Sequence, residues 1–274
     1  MDSLAASDGV LRPAAPTAPP LLKVAELRRS FGAVRAVDGL DLEVEAGSIT
    51  GMIGPNGCGK TTAVNCITGF DRGCSGSVEL QGRSIARRQP EEIARGGVMR
   101  TFQAIRVFDG FSVLENAAMG RQCFDGLRLQ HPILRTPRFR QVERETRARA
   151  EALLETVGLG AKKGELAGSL SYGQKKLLAL AGILMSEPKI VILDEPVAGV
   201  NPTMVHEIAE LLRRLNAAGT TFLIIEHNIE FVMALSDRVV VMDRGRRLAS
   251  GTPAEIQQDE RVLEAYLGGG DGGL

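Results

Sequence analysis

Residues 54–61 read Gly54-Pro55-Asn56-Gly57-Cys58-Gly59-Lys60-Thr61. The run fits GxxxxGK[ST], the pattern of a phosphate-binding loop. Gly57 and Gly59 let backbone N–H groups turn inward around phosphate oxygens without a Cβ in the way. Lys60 puts a point charge on the β- and γ-phosphates, and Thr61 presents a hydroxyl to Mg2+. A helix beginning near Gly59 aims the positive end of its dipole at the same anion. The flanks suit this reading, because Ile49 to Ile53 is a short apolar run and Ala63 to Thr68 is helix-like.

Further along, Ile190 to Leu193 and Thr221 to Ile225 are short β runs with helix-like sequence before them. Buried strands alternating with helices predict a parallel α/β core. Leu21 to Leu27 is a strand-like segment, and Val37 to Val44 alternates with Leu40, Leu42 and Val44 on one face. That alternation predicts a half-buried antiparallel strand. Arg238 to Met242, the turn Asp243-Arg244-Gly245, and Arg246 to Ala249 predict a hairpin. Glu143 to Val157 has helical spacing, with Ala148, Ala152, Leu153 and Val157 near one face.

The run Ile190 to Leu193 ends in Asp194 and Glu195. A buried strand end is a poor place for carboxylates unless a cation is near. Asp194 is therefore expected to partner Mg2+ through water. Glu195 is placed to polarise the attacking water as general base.

The 274 residues carry 33 basic and 33 acidic side chains, with 44% hydrophobic and 24% charged residues. This is an ordinary globular composition. The absence of net charge argues against a generic nucleic-acid binder. The longest apolar stretches are short, such as Leu177 to Met185, whereas a bilayer span needs roughly 20 residues. Any membrane role is expected to go through a partner. Cys58, Cys66, Cys74 and Cys123 have no CxxC spacing and no zinc-site spacing, so free thiols in a reducing cytosol are expected. A thiol at a helix N-terminus beside phosphate-binding groups is expected to be acidified, which predicts alkylation of Cys58 and protection by ATP. Residues 1–20, rich in Ala, Pro and Ser, and the glycines of 268–274 predict flexible tails around a domain at 21–267.

Three further segments carry a family resemblance. Leu170-Ser171-Tyr172-Gly173-Gln174 resembles the LSGGQ signature of ABC ATPases. Gln103, in Arg100-Thr-Phe-Gln103, resembles their Q-loop, and His227, in Glu226-His227-Asn228, resembles their switch histidine. The resemblance implies an α/β fold of the ABC-type P-loop NTPase. It has a RecA-like core, an N-terminal antiparallel β subdomain and an inserted α-helical subdomain near 104–182. It implies ATP and Mg2+ as cofactors, with Phe31 stacking on adenine and Thr62 adding a second hydroxyl to the phosphates. Gln103 would contact Mg2+ and report to the membrane partner, and His227 would hold the γ-phosphate and water. Ser171, Gly173 and Gln174 would complete the ATP site of an opposite subunit, so hydrolysis needs a head-to-tail dimer. The physics of a helix N-terminus supports this use of the signature segment.

Tyr172 stands where LSGGQ has its first glycine, Asn201 where many members have Asp, and Cys58 where Ala or Ser is commoner. The first two recur among the ATPases of branched-chain amino acid importers. Asn65-Cys-Ile-Thr-Gly-Phe70, Arg106-Val-Phe108, Ala198-Gly-Val-Asn-Pro202, Phe231-Val-Met233, Gly251-Thr-Pro253 and Ala265-Tyr-Leu-Gly268 also look like that LivG-type subgroup. The resemblance implies membrane permease subunits, a second ABC ATPase and, indirectly, a periplasmic substrate-binding protein as partners. It places the chain on the cytoplasmic face of the inner membrane. Lipopolysaccharide export and urea or amide import are near alternatives. A soluble ABC ATPase acting on nucleic acid or ribosomes is another class, but the long coiled-coil insertion or tandem cassette common there is missing. An interaction protein with a dead site is disfavoured by Lys60, Asp194, Glu195 and His227. Residues 121–150 hold eight arginines against three acids. That patch is either a solvated helix face or a docking surface.

Overall fold

The computed structural model describes residues 19–101, 107–122 and 137–267. The chain opens with β1 (Leu22–Phe31), β2 (Val34–Val44) and β3 (Ile49–Ile53), then α1 (Lys60–Ile67). There follow β4 (Ser75–Leu80), β5 (Arg83–Ser84), α2 (Pro90–Arg95) and β6 (Val98–Arg100). Three longer helices come next: α3 (Val113–Gln122), α4 (Pro137–Thr156) and α5 (Tyr172–Leu184). The rest is β7 (Ile190–Asp194), α6 (Pro202–Ala217), β8 (Thr221–Ile225), α7 (Ile229–Leu235), β9 (Arg238–Asp243), β10 (Arg246–Gly251), α8 (Pro253–Gln257) and α9 (Glu260–Leu267).

The strands form two sheets. The antiparallel one has the order β2-β1-β4-β5, and the larger has the order β10-β9-β3-β8-β7-β6. In the larger sheet every pairing is parallel except β9 with β10. Its central strands are buried on both faces, which explains their unbroken apolar runs. Val191, Leu193, Phe222, Ile224, Val239 and Val241 face one core, with α3 to α7. Ile190, Ile192, Leu223, Ile225, Val240 and Met242 face the other, with α1 and the antiparallel sheet. Each such side chain contributes about 1.5–3 kcal/mol on burial.

The expected antiparallel strand is present, with Leu40, Leu42 and Val44 fully buried. The hairpin is present too, its turn made by Arg244 at φ 44° and Gly245 at φ 80°. Two successive positive φ values match the twist of the flanking strands. β4, β5 and β6 carry too short or too polar a pattern for the sequence to announce them. The expected flexible tails, apart from Pro19 and Pro20, lie outside the described residues, as do Gln103 and Cys123.

Candidate functional site at the strand ends

β3, β8 and β7 are neighbours, with Met52 paired to Ile225 and Ile225 to Asp194. Their C-terminal ends therefore deliver three loops to one edge: 54–59, 226–228 and 194–199. The crevice beyond such strand ends is where open α/β sheets bind ligands.

The phosphate loop leaves β3 at Gly54 and enters α1 at Lys60. Asn56, Gly57 and Thr61 are exposed, Pro55 and Thr62 half-buried. Lys60 is buried, and its Nζ donates to the Gly54 carbonyl at 2.7 Å and the Pro55 carbonyl at 3.0 Å. The ammonium thus holds the loop closed around itself. Gly59 has φ 106°, and a Cβ there would lie 2.1 Å from the Ala36 carbonyl oxygen on β2. The loop is also tied to the hairpin turn, because Gly245 N–H donates to the Cys58 carbonyl at 2.8 Å. The Gly245 carbonyl in turn accepts from Asp38 N–H at 2.8 Å. The Arg246 guanidinium bonds the Asp38 carboxylate and holds its pKa below the ordinary value. Gly59→Ala is expected to push the loop off β2. At about 1–3 kcal/mol for such overpacking, ATP affinity should fall roughly 10- to 100-fold, measurable by fluorescent-nucleotide titration.

Cys58 corrects an expectation. Its thiol points inward, is 4% exposed, and sits 3.6 Å from Lys60 Nζ. Burial pushes the thiol pKa up, and nearby Lys60 only partly opposes this. A helix N-terminus acidifies a thiol only if the sulfur faces the exposed N–H groups, and here it faces the core. Iodoacetamide at neutral pH is therefore expected to spare Cys58 in the native chain and label it after unfolding, as peptide mass spectrometry would show.

Asp194 ends β7, and its carboxylate is paired with Arg100. Nη2 lies 2.6 Å from Oδ2, with both side chains 7% exposed. Arg100 also donates from Nη1 to Asn65 Oδ1 at 2.6 Å. Thr101 Oγ1 accepts from Asp194 N–H at 3.1 Å. Glu195 follows with φ 52°, a left-handed backbone rare for a residue with a Cβ. Two bonds fix it there: Glu195 N–H donates to the Ile225 carbonyl at 2.9 Å, and Lys176 Nζ donates to the Glu195 carbonyl at 2.7 Å. The Glu195 side chain then reaches His227, whose Nε2 lies 2.9 Å from Oε1.

The sequence reading passed over three of these groups. Arg100 stands in the sequence only as the first residue of Arg100-Thr-Phe-Gln103. Glu226 is 3% exposed, and its carboxylate accepts from the N–H groups of Val197 at 2.8 Å, His227 at 3.1 Å and Asn228 at 3.4 Å. It locks the loop carrying His227 to the loop carrying Glu195. Lys176, on α5, donates also to the Ala198 carbonyl at 2.8 Å. Burial lowers its pKa, and Glu226 and Glu195 oppose that. Arg100 and Lys176 find their partners far away in sequence, and Glu226 binds backbone N–H groups, so no local pattern of residue types marks any of the three.

Ser171 caps α5: its Oγ accepts from Gln174 N–H at 3.3 Å, and Gln174 Oε1 accepts from Ser171 N–H at 3.0 Å. The helix begins at Tyr172, directly after this cap. The exposed Tyr172 ring packs beside Gly199, with the Lys176 ammonium 5.4 Å from its centroid. Gly173 is needed by packing, since a Cβ there would lie 2.9 Å from Met204 Cγ. Asn201 caps α6, accepting from Met204 N–H at 2.9 Å. Phe31 is half-exposed at the tip of the β1–β2 hairpin. One face of its ring is covered by the Arg29 guanidinium at 4.2 Å, itself paired to Asp71 at 2.6 Å. A cavity of about 450 Å3 lies behind the carboxylates, lined by Arg100, Asp194, Glu195 and apolar residues of α3 and α5.

Comparison with known proteins agrees with this geometry. The profile of the ABC transporter family matches residues 37–198, and that of the branched-chain amino acid ATP-binding cassette transporter matches residues 246–272. The chain is 40% identical over 250 residues to the high-affinity branched-chain amino acid transport ATP-binding protein BraF of Pseudomonas aeruginosa. That alignment covers 91% of this chain and 98% of the relative. It is 41% identical to the corresponding protein LivG of Salmonella typhimurium over the same shares. A crystal structure of a nucleotide-free ATP-binding cassette from an ABC transporter superposes with a TM-score of 0.78 at 34% identity. It covers 90% of this chain and 98% of that one. The ADP conformation of such a cassette also scores 0.78 at 34% identity, covering 92% and 100%. The chain belongs to the ABC transporter family and is one of its ATP-binding, ATP-hydrolysing subunits.

Proposed function

We propose that the chain powers import of branched-chain amino acids, hydrolysing ATP at the strand-end site and passing the resulting motion to membrane permeases. The observation that carries the chemistry is the His227–Glu195 pair, 2.9 Å apart, on the loops after β8 and β7, which lie side by side next to the phosphate loop. The assignment of substrate rests on the relatives BraF and LivG and on the match at 246–272.

ATP would place its adenine on the face of Phe31 that Arg29 leaves open. Its phosphates would meet the N–H groups of Gly57, Cys58 and Gly59 and the hydroxyls of Thr61 and Thr62. Lys60 would turn from the loop carbonyls to the β- and γ-phosphates. Glu195 takes a proton from water as its oxygen attacks the γ-phosphorus. The bond to the β-phosphate oxygen breaks, leaving ADP and phosphate. His227 holds the Glu195 carboxylate in place and stabilises charge on the γ-phosphate side.

The donor set suits Mg2+. Among the described residues no three His, Cys, Asp or Glu side chains are arranged to hold a metal ion by themselves, and the groups at hand are the Asp194 carboxylate and the Thr61 hydroxyl. Magnesium is characteristically held by one or two carboxylates plus substrate phosphates. Thr61, Asp194 and Gln103 would hold it, and the ion would neutralise phosphate charge and orient the γ-phosphate.

The signature residues Ser171, Gly173 and Gln174 would close over nucleotide bound by a second ATPase. Among the described residues no helix is long and apolar enough to cross a membrane. Permeases would therefore supply the path, and the chain would sit peripherally on the cytoplasmic face. The apolar cavity flanked by Met99–Thr101 and Val107–Phe108 is suited to a permease segment. Residues 137–150 of the arginine-rich segment lie on α4, where Arg138, Arg140 and Arg144 are exposed. Neutralising all three is expected to reduce recovery of the chain with membranes while ATP affinity holds, checked by vesicle flotation. Unchanged flotation would return the patch to a solvated face.

The function is tested by reconstituting the chain in proteoliposomes with permease subunits and a binding protein of the branched-chain amino acid type. ATP turnover stimulated by leucine, isoleucine or valine is the expected result. Co-purification with lipopolysaccharide-export components, without amino-acid stimulation, would overturn it.

A further inference from the structure

Arg100 does more than neutralise a buried acid. It ends β6, paired to Ile192 of β7, so its side chain runs on to the strand end where Asp194 stands. One guanidinium nitrogen binds Asp194 Oδ2 and another binds Asn65 Oδ1, each at 2.6 Å. Asn65 lies four residues after Thr61 on α1, one helical turn along the same face. The two side chains that flank the metal in the reading above, Thr61 and Asp194, come from elements 133 residues apart in sequence. A single planar fork joins those elements. Thr101, the next residue, grips the backbone of the same aspartate through Oγ1. Two adjacent residues therefore orient Asp194 from both its side chain and its N–H.

The chemistry of the fork matters. A guanidinium offers fixed, divergent N–H groups, whereas an ammonium is a point charge that orients neither partner. Arg100 occupies one carboxylate oxygen in a defined direction, which fixes where Oδ1 points. We propose that Arg100 is a positioning residue for the divalent metal, a brace that sets Asp194 against the helix bearing Thr61. The inference rests on the reading of Asp194 and Thr61 as the metal-side groups.

The test compares affinity for a non-hydrolysable ATP analogue with Mg2+ and with EDTA, so that turnover plays no part. The ratio of the two affinities reports the metal alone. Groups that orient metal ligands typically contribute about 10- to 100-fold in metal affinity. Arg100→Lys keeps the charge and loses the fork. Asn65→Ala cuts the link to α1, leaves the Arg100–Asp194 pair intact, and guards against a misfolded first variant. Both are expected to lower the ratio about tenfold or more while affinity in EDTA stays within about twofold of the parent. Asp194→Asn is the reference. If it loses the metal effect while both other variants keep it, Arg100 is only a counter-ion and the inference fails. If affinity in EDTA falls as much as in Mg2+, the fork shapes the phosphate loop and not the metal side, and the inference fails again. If Asp194→Asn itself leaves the ratio unchanged, the reading of Asp194 fails and the inference falls with it.

Discussion

Glu195→Gln is expected to bind ATP as the parent chain does and to hydrolyse it on the order of 10³ times more slowly, within the range general-base removal produces. The substitution is nearly isosteric. The backbone bonds that fix residue 195, to Ile225 and from Lys176, do not involve the side chain and survive. His227 Nε2 keeps an oxygen acceptor in the amide, so the pair at 2.9 Å persists in outline. What is lost is the basic oxygen that accepts water's proton. Phosphate binding by Lys60 and the loop N–H groups is untouched, so the variant should accumulate the ATP-bound state. Single-turnover hydrolysis and nucleotide retention on a spin column measure the two halves. Turnover within a few-fold of the parent would remove Glu195 from the base role.

Glu226→Gln should act through the fold. The carboxylate accepts three backbone N–H groups in an environment it shares with almost no water. Bonds to a charged acceptor are about twice as strong as neutral ones, and a buried donor left unsatisfied costs about 1–3 kcal/mol. An amide presents one oxygen and turns an NH2 group toward at least one N–H. A loss of about 3 kcal/mol follows, or a drop of roughly 6–12 °C in melting temperature for a domain of this size. Because His227 is the next residue and Val197 is two beyond Glu195, turnover should fall too, even at temperatures where the variant is folded. Calorimetry together with turnover at low temperature checks both. A melting temperature within about 1 °C of the parent would mean that the 226–228 loop is held some other way.

The two outcomes draw on different kinds of legibility. Lys60, Thr61, Asp194 and Glu195 stand out because strand, turn and helix are written in contiguous residues, and a charge at the end of an apolar run has few explanations. His227 is visible only with the family pattern beside it, since one histidine after a strand carries little chemistry by itself. Arg100 and Asn65 are paired across 35 residues, and Arg100 and Asp194 across 94, so only the sheet order brings them together. Glu226 hides for another reason: its partners are backbone N–H groups, which leave no trace in residue type. Cys58 departs from the expectation because the direction of its side chain depends on tertiary packing, and position at a helix start does not set it. β6, three residues long, gains its identity from β7 and has almost none of its own.

The left-handed backbone at Glu195 sets stability against catalysis at one residue. A side chain there costs about 1–2 kcal/mol relative to glycine. The fold alone would prefer glycine or asparagine at this position. Directed evolution that selects only for heat resistance should therefore drift toward inactive, hardier chains with position 195 among its first gains. Thermostability screens on this chain need turnover as a second filter. A variant that melts higher after losing this one side chain would be the cheapest false success such a screen can return.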